Sequence, residues 1–310
     1  MRGSRPAELV VGSVQLGLAY GAANHTGKPA HEAALRMVRR AAEAGVDKFD
    51  TARSYGDSED RLGEALMGRK AVRTITKLSP LDDVPPHAVV DVVRAKVDES
   101  IEQSLTALRL DRLDCVLLHH AHHRSAWNGA VWNRLIELLE EGTILSLGVS
   151  VRSPAEALSA LASPDVQHIQ LPFNILDWRW RAAGVVERLA ERPNVTVHAH
   201  SVFLQGLLAA RDPKIWPRLP DFSAPAIVDW LDETARAYER DNVADLCLAF
   251  ARGQDWIDGV VVGMETEEQL ETNLRLSIRP PLRAEQCAAI EIARPHVALA
   301  LLDPAQWPKQ

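Results

Sequence analysis

Residues 73–118 contain the repeating unit that decides the fold. The segment opens with RTITK (73–77) and closes with DCVLL (114–118). Between them, apolar side chains recur at steps of four, four, four and three residues and form one stripe along a helix: Val93, Val97, Ile101, Leu105 and Leu108. Two short apolar runs joined by an amphipathic helix predict a pair of parallel strands covered by that helix.

The same unit recurs along the chain. Leu35, Val38 and Ala42 form a similar stripe ahead of the run at 46–50. Eight strands are predicted, at 10–14, 46–50, 73–77, 114–118, 144–149, 166–171, 195–200 and 259–263. Eight such units favour a (β/α)8 TIM-type barrel, with a doubly wound open sheet as the alternative. Because no linker or composition shift divides the chain, residues 1–310 are predicted to form a single domain.

Composition and charge exclude several classes of protein. With 42 acidic and 35 basic side chains the net charge is −7, which argues against a general binder of nucleic acid. No apolar run approaches the roughly 18 residues of a membrane helix, and residues 1–12 lack the apolar core of a secretory signal. Three scattered cysteines, Cys115, Cys247 and Cys287, fit reduced thiols in a cytoplasmic protein.

Two segments depart from the regular alternation. Residues 201–226 carry Pro213, Pro217, Pro220 and Pro225, and are predicted to form a structured loop over the mouth of the barrel. The tail after Pro295 is predicted to be a cover or an extension of the barrel.

Polar side chains stand where the predicted strands end. In a barrel these ends converge on one mouth, where catalysis takes place. Lys77 ends an apolar strand and needs a buried partner, for which Asp50 is predicted. A lysine held in this way stabilises a phenolate and lowers the pKa of a nearby tyrosine, which predicts Tyr55 as a proton donor. A histidine such as His119 then orients a carbonyl group or shares the proton transfer.

The run FDTARSYGDSE (49–59) resembles the signature of the aldo-keto reductase family. Similar segments follow in the family's order: ITK (75–77), RLDCVLLH (112–119), GVS (148–150), QLPFN (170–174), QGLL (205–208), VG (262–263), QL (269–270) and Asn273. The resemblance implies reduction of an aldehyde or ketone by NAD(P)H, and it implies a catalytic tetrad of Asp50, Tyr55, Lys77 and His119. By strand register His119, rather than His120, matches the catalytic histidine.

The resemblance also implies a set of cofactor-binding residues. Ser150 and Gln170 match positions that hold the nicotinamide carboxamide, and His200 stands where most members place a stacking aromatic ring. Because Val151 replaces the family's usual Asn, Asn174 is a candidate to supply the missing contact. The remaining positions, including the loop around the pyrophosphate, are Ser13, Ser201, Leu204, Gly206, Gly263, Met264, Glu265, Gln269 and Asn273.

The choice of cofactor is open at this point. The resemblance implies NADP(H), but residues 264–269 contain three Glu and neither Lys nor Arg. A 2′-phosphate needs a cation, whereas a Glu accepts a hydrogen bond from a ribose 2′-hydroxyl, so NAD(H) is an alternative. Arg275 and Arg279 are the nearest downstream cations that a following helix brings towards a phosphate.

The substrate is predicted to be a small carbonyl compound, of sugar-like character, bound by aromatic residues of the loops. These residues are Tyr20, His120, Trp127 and Trp178. A monomer or a small homo-oligomer is expected.

Two other functions stay open. One is a nucleotide-binding regulatory protein with little turnover. The other is a metal-dependent hydrolase using His198, His200, His119 and Asp50. The last predicted strand lacks the Asp that such metal sites take, so no metal is predicted.

Overall fold

The computed structural model describes residues 6–69, 71–210, 212–219 and 222–308. Eight parallel strands close into a barrel in which each strand pairs with the next and the last pairs with the first. Strands β1 to β8 are Glu8–Gly12, Lys48–Asp50, Arg73–Lys77, Cys115–Leu118, Leu147–Ser150, His168–Pro172, Thr196–His200 and Gly259–Gly263. The predicted TIM-type barrel is confirmed, and the open-sheet alternative is wrong.

Helices surround the barrel. In the described residues, α1 to α13 are Val14–Gly17, His31–Glu43, Ser58–Ala65, Val90–Leu108, Ala130–Glu140, Pro154–Leu161, Arg179–Ala182, Val185–Ala190, Ala224–Ala237, Val243–Arg252, Glu267–Ser277, Ala284–Ala293 and Leu299–Leu302. Short 3-10 turns lie at Ala121–Arg124, Ala126–Gly129, Pro213–Ile215 and Pro304–Gln306. Among the helices described, none combines the length and hydropathy needed to cross a membrane.

Each predicted strand is present, with shifted ends. The first ends at Gly12 instead of residue 14 because Ser13 turns the chain into α1, with its hydroxyl donating to Asp50 O at 2.7 Å. The fifth begins at Leu147 instead of residue 144, since Ile144 forms only an isolated bridge with Leu113.

The helical stripe read from the sequence is the buried face of α4. Val93, Val97, Ile101 and Leu108 are buried against the barrel, and each such side chain contributes about 1.5–3 kcal/mol to folding. Inside the barrel a second apolar cluster fills the core: Val10, Ile75, Cys115, Leu117 and Val261. The polar residues of the mouth therefore rest on a packed apolar floor.

The loop after β7 and the tail both border the mouth. Residues 201–203, 205, 206, 209 and 210 line its cavity, and Leu302 to Ala305 of the tail line the same cavity as a cover. The predicted loop ends at α9, which begins at Ala224. Arg211, Pro220 and Asp221 of this loop, together with residues 1–5, 70, 309 and 310, lie outside the described residues.

Candidate active site

A cavity of about 840 Å³ occupies the carboxyl-terminal mouth of the barrel. It brings together most of the residues that the sequence predicts for a site: Ser13, Tyr20, Asp50, Tyr55, His119, Ser150, Gln170, His200, Ser201, Gly206, Gly263, Glu265, Gln269 and Asn273. Lys77 lies behind this wall, only 2% exposed. Strands from all around the barrel contribute to a single site, as the fold requires.

Asp50 and Lys77 form a buried ion pair between adjacent strands. Lys77 Nζ donates to Asp50 Oδ1 at 2.7 Å, to Asp50 Oδ2 at 2.9 Å and to Thr51 O at 2.9 Å. The Tyr55 side chain is a further hydrogen-bond partner of this ammonium group. Burial lowers the pKa of Lys77, but Asp50 and Tyr55 together outweigh burial and the net pKa is raised. The lysine is therefore a fixed positive charge under the cavity.

Tyr55 is held by a tight contact between α1 and the turn after β2. A Cβ at Gly17 would lie 1.8 Å from Tyr55 O, so only glycine allows α1 to approach this closely. The Tyr55 ring centre lies 4.9 Å from Lys77 Nζ. It lies 5.9 Å from the centre of the His119 ring, in an edge-on arrangement. The predicted tetrad is thus assembled around one point of the cavity.

The pKa of Tyr55 is raised, whereas the sequence predicted that Lys77 would lower it. Burial is the largest effect and disfavours the phenolate; Lys77 opposes it, and Asp50 adds to it. The predicted lowering by Lys77 is present, but desolvation outweighs it and the net pKa of Tyr55 is raised. The consequence is that Tyr55 keeps its proton at neutral pH, as a proton donor must.

His119 is neutral at physiological pH. Burial, with a further contribution from Lys77, lowers its pKa to about 3. Its Nδ1 lies 3.2 Å from Ser54 Oγ, and no described residue hydrogen-bonds Nε2. A neutral imidazole fixed through one nitrogen presents the other to a carbonyl oxygen.

A second buried carboxylate fixes the turn that carries Tyr55. Glu59 is fully buried, accepts from Thr76 Oγ1 at 2.6 Å and pairs with Arg53. Ser58 Oγ donates to Ser13 O at 3.0 Å. These contacts tie the FDTARSYGDSE segment to β1 and β3. Sequence reasoning found the motif but gave these residues no role.

The end of the cavity next to Asp50 has groups that fit a nicotinamide. Gln170 Nε2 donates to Asp50 Oδ2 at 2.6 Å, and no described residue donates to Gln170 Oε1. His200 Nδ1 lies 2.8 Å from Ser201 Oγ, and burial lowers the pKa of His200 to about 3, which leaves a neutral ring on the wall. Ser150 lines the same wall. An amide oxygen, a hydroxyl and a neutral ring suit a carboxamide-bearing heterocycle.

Gln15, which sequence reasoning missed, supplies a further acceptor. Its side chain covers Gly263, where a Cβ would lie 2.1 Å from Gln15 Oε1. This buried oxygen has no hydrogen-bond partner among the described residues, although it belongs to a residue that lines the cavity. A donor such as a ribose hydroxyl would satisfy it. The one signal in the sequence was its position directly after β1.

The far end of the cavity is acidic. Glu265 and Glu268 line it, while Glu267 turns outward and pairs with Arg36 at 2.9 Å. Among the described lining residues, Arg152 is the single Arg or Lys, and it lies next to Ser150 rather than among these carboxylates.

The two downstream arginines do not reach this end. Arg275 pairs with Asp241 at 3.1 Å, and Arg279 pairs with Asp241 and Asp245. Neither lines the cavity. The helix therefore does not bring these two cations to the site of a 2′-phosphate, because both are held by carboxylates away from the cavity.

Two predicted residues lie away from the cavity. Trp178 Nε1 donates to Val297 O at 3.2 Å and its ring stacks on His296, so it packs under the tail and its assignment to the substrate pocket is wrong. Asn174 Oδ1 accepts from Leu176 N at 3.0 Å within its own turn, and it does not replace the missing Asn.

Leu204 and Met264 bury their side chains in the core. Their side chains are therefore unavailable to a cofactor, and any contact falls to their backbone. His120 and Trp127 line a second cavity beside the first.

The metal-site hypothesis finds no support in this arrangement. His198 packs its ring on His168 at 4.3 Å inside the barrel, while His200 faces the mouth. The described residues hold no group of three or more His, Cys, Asp or Glu side chains placed to bind a metal ion.

A buried lysine–carboxylate pair beneath a tyrosine, at the mouth of a (β/α)8 barrel, defines a class of oxidoreductase. The sequence model of the Aldo/keto reductase family matches residues 8–295, and the chain belongs to this family. Members use nicotinamide cofactors, so the protein is a nicotinamide-dependent oxidoreductase.

Relatives and solved structures agree with this assignment. Aldo-keto reductase str7 of Strobilurus tenacellus is 27% identical over 83% of this chain and 79% of its own length. The oxidoreductase YqkF of Bacillus subtilis is 24% identical over 83% of this chain and 86% of its own. The holo form of aldo-keto reductase AKR11C1 from Bacillus halodurans shares the fold, with a TM-score of 0.74, 22% identity and 96% coverage of both chains.

Proposed function

We propose that the protein reduces an aldehyde or ketone to an alcohol, with NAD(P)H as hydride donor and Tyr55 as proton donor. The observation that carries this proposal is the buried Lys77 ammonium group. It is held by Asp50 and lies 4.9 Å from the centre of the Tyr55 ring, beside a cavity of about 840 Å³. A nicotinamide cofactor, when bound, supplies the hydride.

The protein's own residues handle the proton. Tyr55 holds it at neutral pH because burial raises the pKa of the phenol. When charge develops on the carbonyl oxygen, Tyr55 donates the proton, and the Lys77 charge stabilises the phenolate that is left. Neutral His119 orients the same oxygen through its free ring nitrogen. Gln170 and Ser150 would hold the cofactor's carboxamide, and residues 201–206 would border its pyrophosphate.

We further propose that the enzyme discriminates only weakly between NADPH and NADH. Glu265 and Glu268 line the far end of the cavity, and the nearest arginines are engaged elsewhere. A carboxylate accepts a hydrogen bond from a ribose 2′-hydroxyl but repels a 2′-phosphate. A cation that binds the 2′-phosphate contributes about 1.5–3 kcal/mol per charge-assisted bond, and without it most of a preference for NADPH is lost. We therefore expect the dissociation constants of NADPH and NADH to differ by no more than about tenfold.

The test has two steps. NADH and NADPH are titrated into the protein with nucleotide fluorescence as the readout, and carbonyl compounds are then screened with the tighter-binding cofactor. Binding followed by oxidation of the reduced cofactor supports the proposal. Binding without turnover on any aldehyde or ketone would favour the nucleotide-binding regulatory alternative instead. A location in the cytoplasm, a sugar-like substrate and a monomer or small homo-oligomer stay predictions from the sequence.

A further inference from the structure

A second cavity of about 560 Å³ opens beside the catalytic residues, and the proposed mechanism does not use it. His119, Ser150 and Arg152 line both cavities, so the two meet at these three residues. A substrate whose carbonyl lies at Tyr55 and His119 therefore has a direct path into this space. The other described residues of its wall include His120, His122, His123, Trp127, Leu81 and Val84.

Several aromatic rings line the second cavity, together with the charged side chains of Asp82, Arg152 and Glu156. The His119 and His120 rings stack at 5.3 Å, and His123 lies 5.3 Å from Trp127. Trp127 Nε1 donates to Pro85 O at 2.7 Å, which fixes the indole. Burial lowers the pKa of His120, and it lowers that of His123 to about 4, so both are neutral near pH 7. Such a wall suits a flat or hydroxylated group.

Arg152 is the one Arg or Lys among the described residues of this wall. No described residue forms an ion pair or hydrogen bond with its guanidinium group; only its backbone N–H is engaged, by Glu156 Oε2 at 2.6 Å. Arg152 is exposed to solvent, whereas an arginine such as Arg134 is paired, with Asp98 at 2.7 Å. An unpaired guanidinium group at the junction of two cavities is thus a charge without a partner, next to the reacting centre.

The surrounding charges do not neutralise Arg152. Asp82 and Glu156 line the second cavity but not the first, and Asp50 is committed to Lys77. Glu265 and Glu268 lie at the far end of the main cavity. The positive charge of Arg152 reaches the catalytic groups, because it lowers the pKa of both Tyr55 and His119.

We propose that Arg152 binds an anionic group of the carbonyl substrate, a carboxylate or a phosphate, while the body of the substrate lies in the histidine-lined second cavity. A guanidinium group offers two parallel donors to either anion. This assignment rests on the proposed function, since it places the carbonyl at Tyr55.

The experiment uses matched aldehydes that differ only in charge. The first pair is 4-carboxybenzaldehyde and its neutral amide, 4-formylbenzamide; the second is glyceraldehyde 3-phosphate and glyceraldehyde. For each pair the ratio of kcat/KM values is measured for the wild type, Arg152→Gln and Arg152→Lys. Arg188→Gln is the matched control, because Arg188 is an exposed arginine of α8 that pairs with Glu191.

Arg152→Gln is expected to lower the ratio of kcat/KM for the anionic aldehyde to kcat/KM for the neutral one about 10- to 100-fold in at least one pair. The ratio of the Arg152→Lys variant should lie between those of Arg152→Gln and the wild type, and Arg188→Gln should keep the wild-type ratio. The pair that responds identifies the anion. The rate with the neutral aldehyde of each pair is the baseline, because the charge of Arg152 also acts on Tyr55 and His119 and that effect cancels in the ratio. An unchanged ratio in both pairs would overturn the role of Arg152 but leave the reductase function standing. A change of more than threefold in the Kd of the cofactor would also overturn it, because Arg152 would then belong to the cofactor site. Failure of the wild type to reduce any aldehyde would instead contradict the proposed function.

Discussion

The two ends of the main cavity are built on different principles. At the catalytic end, Lys77 and Asp50 are 2% and 4% exposed and every donor of the ammonium group has an acceptor. At the far end, Glu268 is exposed, and the segment is ordered by local bonds such as Glu265 N to Gln269 Oε1 at 2.7 Å. Charges are strongly coupled where water is excluded and weakly coupled where it is not. Substitutions should therefore have large, shared effects at one end and small, separate effects at the other.

The largest effect is expected from breaking the buried pair. Lys77→Met leaves the Asp50 carboxylate without its cation, which costs about 3–5 kcal/mol of unfolding free energy. It should also reduce turnover below a hundredth of the wild-type value, and Asp50→Asn should weaken turnover through the lysine that it holds. Urea unfolding and initial rates measure the two effects.

Lys28→Met is the matched control for this substitution. Lys28 pairs with Asp57 at the surface, so its loss should cost less than about 1 kcal/mol. Equal stability of the Lys77→Met variant and the wild type would show that the catalytic end is solvated, and that the contrast between the two ends does not exist.

Acidification should destabilise the barrel below the catalytic end of the cavity, where two histidines are buried. Burial lowers the pKa of His168 to about 3 and that of His198 well below its usual value. An unfolded chain takes up protons at these groups below pH 6.5 and the folded protein does not. The stabilisation is therefore complete above pH 6.5 and is lost as the pH falls. When the pH falls from 7.5 to 5.5, each of these two histidines should lower the free energy of unfolding by about 1.4 kcal/mol.

Urea unfolding at the two pH values gives the difference in the free energy of unfolding. In the His168→Gln variant this difference should be smaller by the contribution of one histidine. The same pH dependence in the His168→Gln variant and the wild type would contradict a neutral buried His168.

The smallest effect is expected at the acidic end. Glu268→Arg should shift the ratio of the NADPH and NADH dissociation constants about tenfold towards NADPH, because a guanidinium group pairs with the 2′-phosphate. Glu267→Arg is the control, since Glu267 faces Arg36 and not the cavity. A wild-type preference for NADPH above about a thousandfold would show that a cation reaches the phosphate after all.

The sequence is informative where chemistry and strand periodicity coincide. All eight strands were predicted, and so was the pairing of Lys77 with Asp50, because an ammonium group at the end of an apolar strand demands a buried anion. The effect of Lys77 on the pKa of Tyr55 has the predicted direction, but the larger opposing effect of burial was missed, since it depends on depth in the structure. Trp178 was misplaced because residue spacing does not say which side of a loop faces the cavity.

Arg152 and Gln15 were missed for a related reason. A single arginine in a loop gives no signal until its neighbours in space are known, and here the signal is that Arg152 lines both cavities while no described residue pairs with its guanidinium group. Gln15 stands out only because its buried oxygen has no donor. Both are properties of three-dimensional surroundings rather than of residue order.

The central claim is that Tyr55 donates the proton, and one comparison tests it most directly. Initial rates of NADH- and NADPH-dependent aldehyde reduction are measured for the wild type, Tyr55→Phe and Tyr238→Phe, together with the Kd of the cofactor. Tyr238 is a half-buried tyrosine at the end of α9 that does not line the cavity. Tyr55→Phe should lower kcat by at least about 10²-fold with an unchanged cofactor Kd, and Tyr238→Phe should leave both unchanged. A Tyr55→Phe variant that keeps more than a tenth of the wild-type rate would remove Tyr55 from the mechanism.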